Sequence, residues 1–181
     1  MVSIDTVLAF GVSLVGASRG PMFTQDTEFY MRKGPPFWES NDPLPSLDHI
    51  KKGGMVCCGL TTLLRRKAGL NVELSNEDGE PVLGGTEEWF LYYKKRGLLV
   101  DFDRMKEYPR GTLLLQRYNE HDEGHFAVMY DNKYTLLHSV GWDDGTGRME
   151  VKIDKGLPTH HFARYTHVVY PDDWLVNMYG I

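Results

Sequence analysis

The chain has 181 residues, and 41% of them are hydrophobic, which is enough for one domain with a sizeable core. Its 20 basic and 25 acidic residues are spread along the sequence and give a formal net charge of −5. This balance excludes nucleic-acid binding through a basic stripe, and it excludes a polybasic membrane anchor.

The cysteine content and the N-terminus bear on the compartment. The two cysteines, Cys57 and Cys58, are adjacent, which argues against a disulfide scaffold, a zinc ribbon and an oxidising compartment. Residues 7–17 are apolar but follow Asp5 and no basic residue, so we expect a buried helix that starts near Ser3 or Asp5. A cleavable signal peptide is the alternative. The run is also shorter than the ~20 residues of a membrane span, and we expect a cytoplasmic, virion-associated or injected protein.

The first half of the chain is predicted to be helical with a long interruption. Residues 4–17 are expected to form the first helix. Residues 18–56 contain repeated Gly and Pro breaks, which indicate a long and mostly irregular insertion. Residues 58–68 have the apolar spacing of an amphipathic helix, and Gly69 provides its stop.

The second half is predicted to be mainly sheet. After a polar loop at 71–85, Thr86 is expected to cap a short helix over 87–96, which ends at Gly97. Then follow five short runs rich in β-branched and aromatic residues: Thr112–Tyr118, His125–Tyr130, Tyr134–Ser139, Arg148–Ile153 and Thr166–Tyr170.

Helices followed by an antiparallel sheet define an α+β fold. No repeat or linker divides the sequence, so we expect residues 1–181 to form a single domain. Long loops are expected to be inserted in it at about 18–56 and 71–108.

Cys57 lies where the long insertion meets the second helix. A thiolate at a helix N-terminus is stabilised by unpaired N–H groups and by the positive end of the helix dipole, which lower its pKa. Nucleophilic thiols are built in this way. The alternative is that Cys57 is a small buried residue without a reactive role.

Two histidines are predicted to meet on neighbouring strands. A tight turn near Asp131-Asn132 would place His125 opposite Leu137, His138 or Ser139. A cysteine nucleophile needs a base, and the base needs a partner that orients it, so His125 and His138 suit these two roles. The alternative is a pair of structural histidines at strand ends.

The remaining polar clusters give no sign of a cofactor. The sequence has no Gly-rich phosphate loop and no HExxH motif. Asp143-Asp144-Gly145 fits a hairpin turn better than a calcium loop, and His160-His161 fits a surface loop better than a metal site. We therefore expect no metal and no organic cofactor.

Several stretches together resemble the NlpC-type papain-like cysteine peptidases, a superfamily of cell-wall amidases and endopeptidases. That family has Asp-Cys-Ser-Gly-Leu before a helix ending in Ala-Gly, then Pro-Gly-Asp-Leu, His-Val-Gly-Ile-Tyr and Ile-His-Ala in its strands. The stretches that resemble it are Val15–Pro21, Cys57–Leu60, Lys67–Leu70, Pro109–Leu114, Gly124–Tyr130 and Leu137–Ser139.

The resemblance implies a papain-like α+β domain whose cysteine-bearing helix packs on an antiparallel sheet of about five to six strands. By motif position Cys57 matches the nucleophile, His125 the base, and His138 the polar residue that orients the base. The backbone N–H of Cys57 is the expected oxyanion donor.

Three positions depart from the family pattern. Cell-wall members usually carry Asp before the cysteine, Ser after it and a Tyr in the first loop, and these groups hold the free amine of the stem peptide. Here the corresponding residues are Val56, Cys58 and Phe23. Trp142, which follows His138 closely, is expected either to line the cleft or to pack in the core.

The expected function is that of a hydrolase, a cysteine (thiol) peptidase or amidase that cuts a peptide or amide bond through a thioester on Cys57. A peptidoglycan stem peptide is one candidate substrate, although Val56 cannot pair with an ammonium group. The alternatives are an acyltransferase on the same fold and a catalytically inactive binding or structural module, for example in a virion. The sequence identifies no partner protein.

Overall fold

The structure, a computed structural model, describes residues 2–18, 43–70, 86–117, 124–140, 150–154 and 164–175. Within these ranges the helices are α1 (Ile4–Ser13), α2 (Leu47–Gly53), α3 (Cys57–Lys67), α4 (Thr86–Lys95) and α5 (Pro171–Trp174). The strands are β1 (Val100–Asp101), β2 (Leu113–Gln116), β3 (His125–Met129), β4 (Leu136–Ser139), β5 (Val151–Asp154) and β6 (His167–Val169).

The six strands form one antiparallel sheet with the order β1-β6-β2-β3-β4-β5. With the helices, this sheet makes the protein an α+β fold, as the sequence predicts. The four strands from β2 to β5 are neighbours in both sequence and space, whereas β6 lies between β1 and β2.

The local signals of the helices act as the sequence predicts. Ser3 accepts the backbone N–H of Thr6 at the start of α1, although the helix ends at Ser13 instead of residue 17. Gly69 follows α3 with φ of +85°, a conformation that costs glycine little. Its N–H reaches the carbonyl of Arg66, which satisfies part of the helix end.

Four elements differ from the sequence prediction. The segment 18–56 is not irregular over Leu47–Gly53, where Ser46 caps α2 by accepting the N–H of His49. Thr86 is the first residue of α4 and not a residue before it. The short elements β1 and α5 were not expected, because two and four residues are too few to set a periodicity.

The two faces of the sheet bury separate clusters. One face packs against α1, α3 and α4 through the larger set, which includes Leu60, Leu63, Leu64, Trp89, Phe126, Val128 and Leu137. The other buries Tyr108, Leu114, Ala127, Met129, Leu136, Tyr165 and Val168. Strand alternation explains this division, since successive residues of β3 point to opposite faces.

No helix in the described ranges combines the length and the apolar character that crossing a membrane requires.

Gly11 marks a close approach between α1 and the sheet. A Cβ atom at this position would overlap the side chain of Leu137 and lie 3.1 Å from Leu64. Both leucines are fully buried, so they have little room to move away.

We expect Gly11→Ala to lower the free energy of unfolding by about 1–3 kcal/mol through overpacking, despite the better helix propensity of alanine. Urea denaturation measures the change. The exposed Ala9 of the same helix provides the control, because Ala9→Gly isolates the propensity difference. A Gly11→Ala protein more stable than the wild type would contradict the close approach.

Candidate active site

Cys57 is the first residue of α3, and the helix start is open to an anionic group. Val56, the N-cap residue, has an extended backbone and provides no side-chain cap. The first N–H groups of a helix lack partners within the helix and attract negative charge. Cys57 is half-buried, whereas Cys58 is buried.

The chain before Cys57 is fixed to the sheet at Met55. The Ser139 hydroxyl donates to the carbonyl of Met55 at 2.8 Å, and this bond is buried. The Met55 N–H reaches the carbonyl of Ser18 at 3.0 Å. The N-terminus of α3 is therefore tied to the end of β4, next to His138.

The ladder between β3 and β4 is short. Its residue pairs are Val128 with Leu137 and Met129 with Leu136. The predicted register, with His125 opposite a residue from 137 to 139, is therefore wrong. The connection is longer than a two-residue turn, and it includes Tyr134 with φ of +61°.

The Cys57 sulfur lies beside the start of β3. It interacts with the imidazole of His125 and with the backbone amide of Phe126. The pKa of the Cys57 thiol is well below its usual range, chiefly because of a hydrogen bond with the Cys58 thiol. Burial opposes this shift, and the hydrogen bond and charge of His125 reinforce it. The site therefore favours the thiolate at residue 57.

Cys58 has the opposite character. Its pKa is well above the usual range of a thiol, because it hydrogen-bonds to the Cys57 sulfur and because it is buried. When one of two neighbouring thiols in a desolvated site ionises, its negative charge raises the pKa of the other. Of the two thiols, Cys57 is therefore the one that ionises more readily, and Cys58 is the one placed to donate to it.

His125 and His138 are hydrogen-bonded to each other. His125 Nε2 lies 3.0 Å from His138 Nδ1, and both rings are buried. In the β3–β4 register His138 faces Ala127, so His125 is its diagonal neighbour, within reach of a long side chain. Since Nε2 of His125 is occupied by His138, its Nδ1 is the nitrogen left for Cys57.

Asp154 continues the series on the next strand. Its Oδ2 lies 2.7 Å from His138 Nε2. The pairing of β5 with β4 sets His138 against Lys152, so Asp154 again occupies the diagonal position. Three consecutive strands therefore each contribute one residue to a line that leads away from the Cys57 thiol.

The pKa of His138 is below its ordinary value of 6.5, mainly because its ring is buried. The hydrogen bond with Asp154 works in the opposite direction, while the nearby charge of His125 adds to the lowering. Near neutral pH His138 is therefore an uncharged ring that can accept one hydrogen bond while it donates another.

Tyr165 covers the histidines from a segment that precedes β6. Its ring centroid lies 6.2 Å from that of His125, and its side chain is buried. Burial raises the pKa of its hydroxyl well above the usual range, and the nearby charge of Cys57 contributes. Tyr165 therefore remains neutral where it packs against His125.

The structure brings together Cys57, His125 and His138, the three residues predicted to carry the chemistry. Val56 and Cys58 flank the sulfur, but both are buried in the main cluster and present no open binding surface. Phe23 and Trp142 lie outside the described residues. No cluster in the described ranges groups three potential metal-binding side chains.

Sequence reasoning missed Asp154, Ser139 and Tyr165. The signal for Asp154 was its position two residues after Lys152 in a run of alternating character. That run was predicted to end at Ile153, one residue too early. The contacts of Ser139 and Tyr165 join segments distant in sequence, and no local pattern encodes them.

No family model matches the chain, and no curated protein matches it.

The Cys57–Cys58 pair can be tested through thiol reactivity. We expect Cys58→Ala to move the iodoacetamide alkylation of Cys57 to higher pH by about one unit, because the thiolate loses its main hydrogen-bond donor. Cys58→Ser keeps a donor and should stay close to the wild type. Peptide mass spectrometry across pH 5–10 follows the reaction. Equal profiles for Cys58→Ala and wild type would show that Cys58 does not influence the neighbouring thiol.

The lowered pKa of His138 predicts a pH-dependent stability. Below the ordinary value of 6.5 the unfolded chain binds a proton at this residue more readily than the folded protein. The stabilising contribution is therefore present above pH 6.5 and is lost as the pH falls through the lower folded pKa. Each differential proton contributes a slope of up to about 1.4 kcal/mol per pH unit.

We expect His138→Gln to flatten the fall in unfolding free energy between pH 7.5 and 5, measured by urea denaturation. His167→Gln is the matched control. His167 also has a lowered pKa because of burial, but its side chain is more exposed, 26% against 4% for His138. A larger flattening in the His167 variant would contradict the assignment.

Proposed function

We propose that the protein is a cysteine hydrolase that cleaves a peptide or amide bond through a thioester on Cys57. The observation that carries this proposal is the unbroken series from the Cys57 thiol to His125 and from His125 to His138. A thiol with a lowered pKa beside an imidazole, itself held by a third group, is the general arrangement of an activated cysteine nucleophile.

In the proposed reaction the Cys57 thiolate attacks the carbonyl carbon of the scissile bond. As the tetrahedral intermediate collapses, the C–N bond breaks and the amine leaves with the proton held on His125 Nδ1. A water molecule then attacks the thioester and gives a proton to His125. The C–S bond breaks, the carboxylic acid leaves, and the thiolate and imidazolium are restored.

The open N-terminus of α3 suits the negative oxygen of the two tetrahedral intermediates. The backbone N–H of Cys57 is our proposed oxyanion donor, because Val56 supplies no side chain that would compete for the helix N–H groups. Donors of this kind are fixed before the reaction starts, so they need little reorganisation when charge develops on the oxygen.

The resemblance to NlpC-type enzymes supports the same chemistry on a papain-like fold, since the cysteine helix precedes the histidine strands in both. The substrate need not be theirs. Val56 is apolar and buried, so it cannot hold a free amine as Asp does in cell-wall enzymes. We therefore propose a peptide or amide whose recognised part near this position carries no ammonium group.

The first test is the pH dependence of iodoacetamide alkylation, with each cysteine quantified by peptide mass spectrometry. We expect Cys57 of the wild type to react well below pH 8 and Cys58 to react slowly. His125→Ala should remove this reactivity near neutral pH, because the thiolate loses its cationic partner.

His167→Ala is the matched control, since His167 lies on β6 beside Asp101, away from the cysteines, and should leave the profile unchanged. If Cys58 reacts in place of Cys57, the nucleophile has been assigned one residue too early. If neither cysteine of the folded protein reacts, the hydrolase proposal fails and a binding or structural role takes its place.

A further inference from the structure

Asp154 ends the hydrogen-bonded line at the surface. Its carboxylate lies 2.7 Å from His138 Nε2, and 41% of its side chain is exposed against 4% for His138. An ion pair with one exposed partner contributes little to stability by itself. The buried ring that it contacts, however, is the ring that holds His125. The position of Asp154 therefore matters more for the chemistry of the thiol than for the fold.

The donors and acceptors along the line determine where the protons lie. An ionised carboxylate can only accept, so Asp154 holds the proton of His138 on Nε2. Nδ1 of His138 then carries no proton and can act only as an acceptor. The hydrogen bond between the two rings must therefore be donated by Nε2–H of His125. With Nε2–H of His125 donating to His138, Nδ1 is the nitrogen that takes the proton of Cys57, and the resulting imidazolium still donates from Nε2 to His138.

Without the carboxylate this order is not fixed. His138 could carry its proton on Nδ1, which would then donate to His125 Nε2. His125 would be forced into the tautomer with its proton on Nδ1, and it could not act as a base toward the thiol. One carboxylate, separated from the sulfur by two rings, thus selects the active arrangement.

We propose that Asp154 is a positioning residue of the candidate active site, which acts through His138 to keep Nδ1 of His125 available to Cys57. The inference rests on the proposed function, since it assigns a role in activating the same thiol. It adds a fourth member to the series and places it on β5, outside the stretches that resemble the NlpC-type enzymes.

The experiment uses two readouts on the full chain, and neither needs a known substrate. Two-dimensional NMR of ¹⁵N-labelled imidazoles reports which ring nitrogen carries the proton. Iodoacetamide alkylation reports the thiolate. Asp154→Ala removes the acceptor, whereas Asp154→Asn keeps an amide oxygen of the same shape that can accept from Nε2–H without a charge.

In the wild type we expect His138 to carry its proton on Nε2 only, and His125 to carry one proton on Nε2 and the proton taken from Cys57 on Nδ1. In Asp154→Ala we expect mixed tautomers at both rings and an alkylation rate of Cys57 at pH 7 about tenfold lower, with its pH midpoint about one unit higher. Asp154→Asn should recover the Nε2–H tautomers and part of the rate. A merely structural role would not move the tautomers.

Asp101→Ala is the matched control, because Asp101 is 99% exposed and lies 3.5 Å from a histidine, His167, at the opposite edge of the sheet. It should behave as the wild type.

The result that would overturn the inference is a wild-type reactive Cys57 combined with unchanged tautomers and rates in Asp154→Ala. An Asn variant indistinguishable from Ala in both readouts would overturn it too. Failure of the proposed function looks different, because Cys57 of the wild type itself would then be unreactive near neutral pH.

Discussion

The early end of the β3–β4 ladder is the constraint on which the candidate site depends. The ladder ends at the pair of Val128 and Leu137. Beyond this pair, polar groups of the two strands contact the start of α3 and the segment that leads into it. The backbone N–H of Phe126 donates to the Cys57 sulfur, and the Ser139 hydroxyl donates to the carbonyl of Met55. A ladder continued to the strand ends would take up the same amide and leave no place for a sulfur atom. Because the regular pairing stops early, the Phe126 amide is available to form a hydrogen bond with the Cys57 thiol.

Burying a polar group costs free energy unless the group has a hydrogen-bond partner. In the candidate site each polar group has its neighbour in the line from Cys57 to Asp154 as a partner. Solvent exposure changes along this line. Cys57 is half-buried, the two imidazoles form a dry middle, and the Asp154 carboxylate is exposed at the far end. In the dry middle, electrostatic effects are strong, so the identity of each donor and acceptor matters. At the exposed end, solvent stabilises the carboxylate charge and spares the core a second buried ion.

Sequence reasoning predicted the elements with strong periodicity and missed what depends on distant contacts. The run of residues 58–68 predicted α3 to within one residue, because its apolar spacing and Gly69 agree. The short α2 escaped notice because only Ile50 of its seven residues is buried, too few for an apolar stripe. The hairpin register was wrong because nothing in the residue type of Tyr134 indicates a positive φ. The proximity of the histidines was still predicted, since a diagonal contact tolerates a small register error.

The position of β6 has a consequence for synthesis of the chain. The strands that bear His125, His138 and Asp154 follow one another from β3 to β5, so this half of the sheet can assemble by successive local pairings as the chain leaves the ribosome. The other half must wait for β6, because Leu113 of β2 pairs with Val169 near the C-terminus. A nascent or truncated chain that lacks β6 therefore exposes the edge of β2, which is apolar and ready to pair with another chain. The order of synthesis thus assembles the candidate site before the sheet is protected against aggregation.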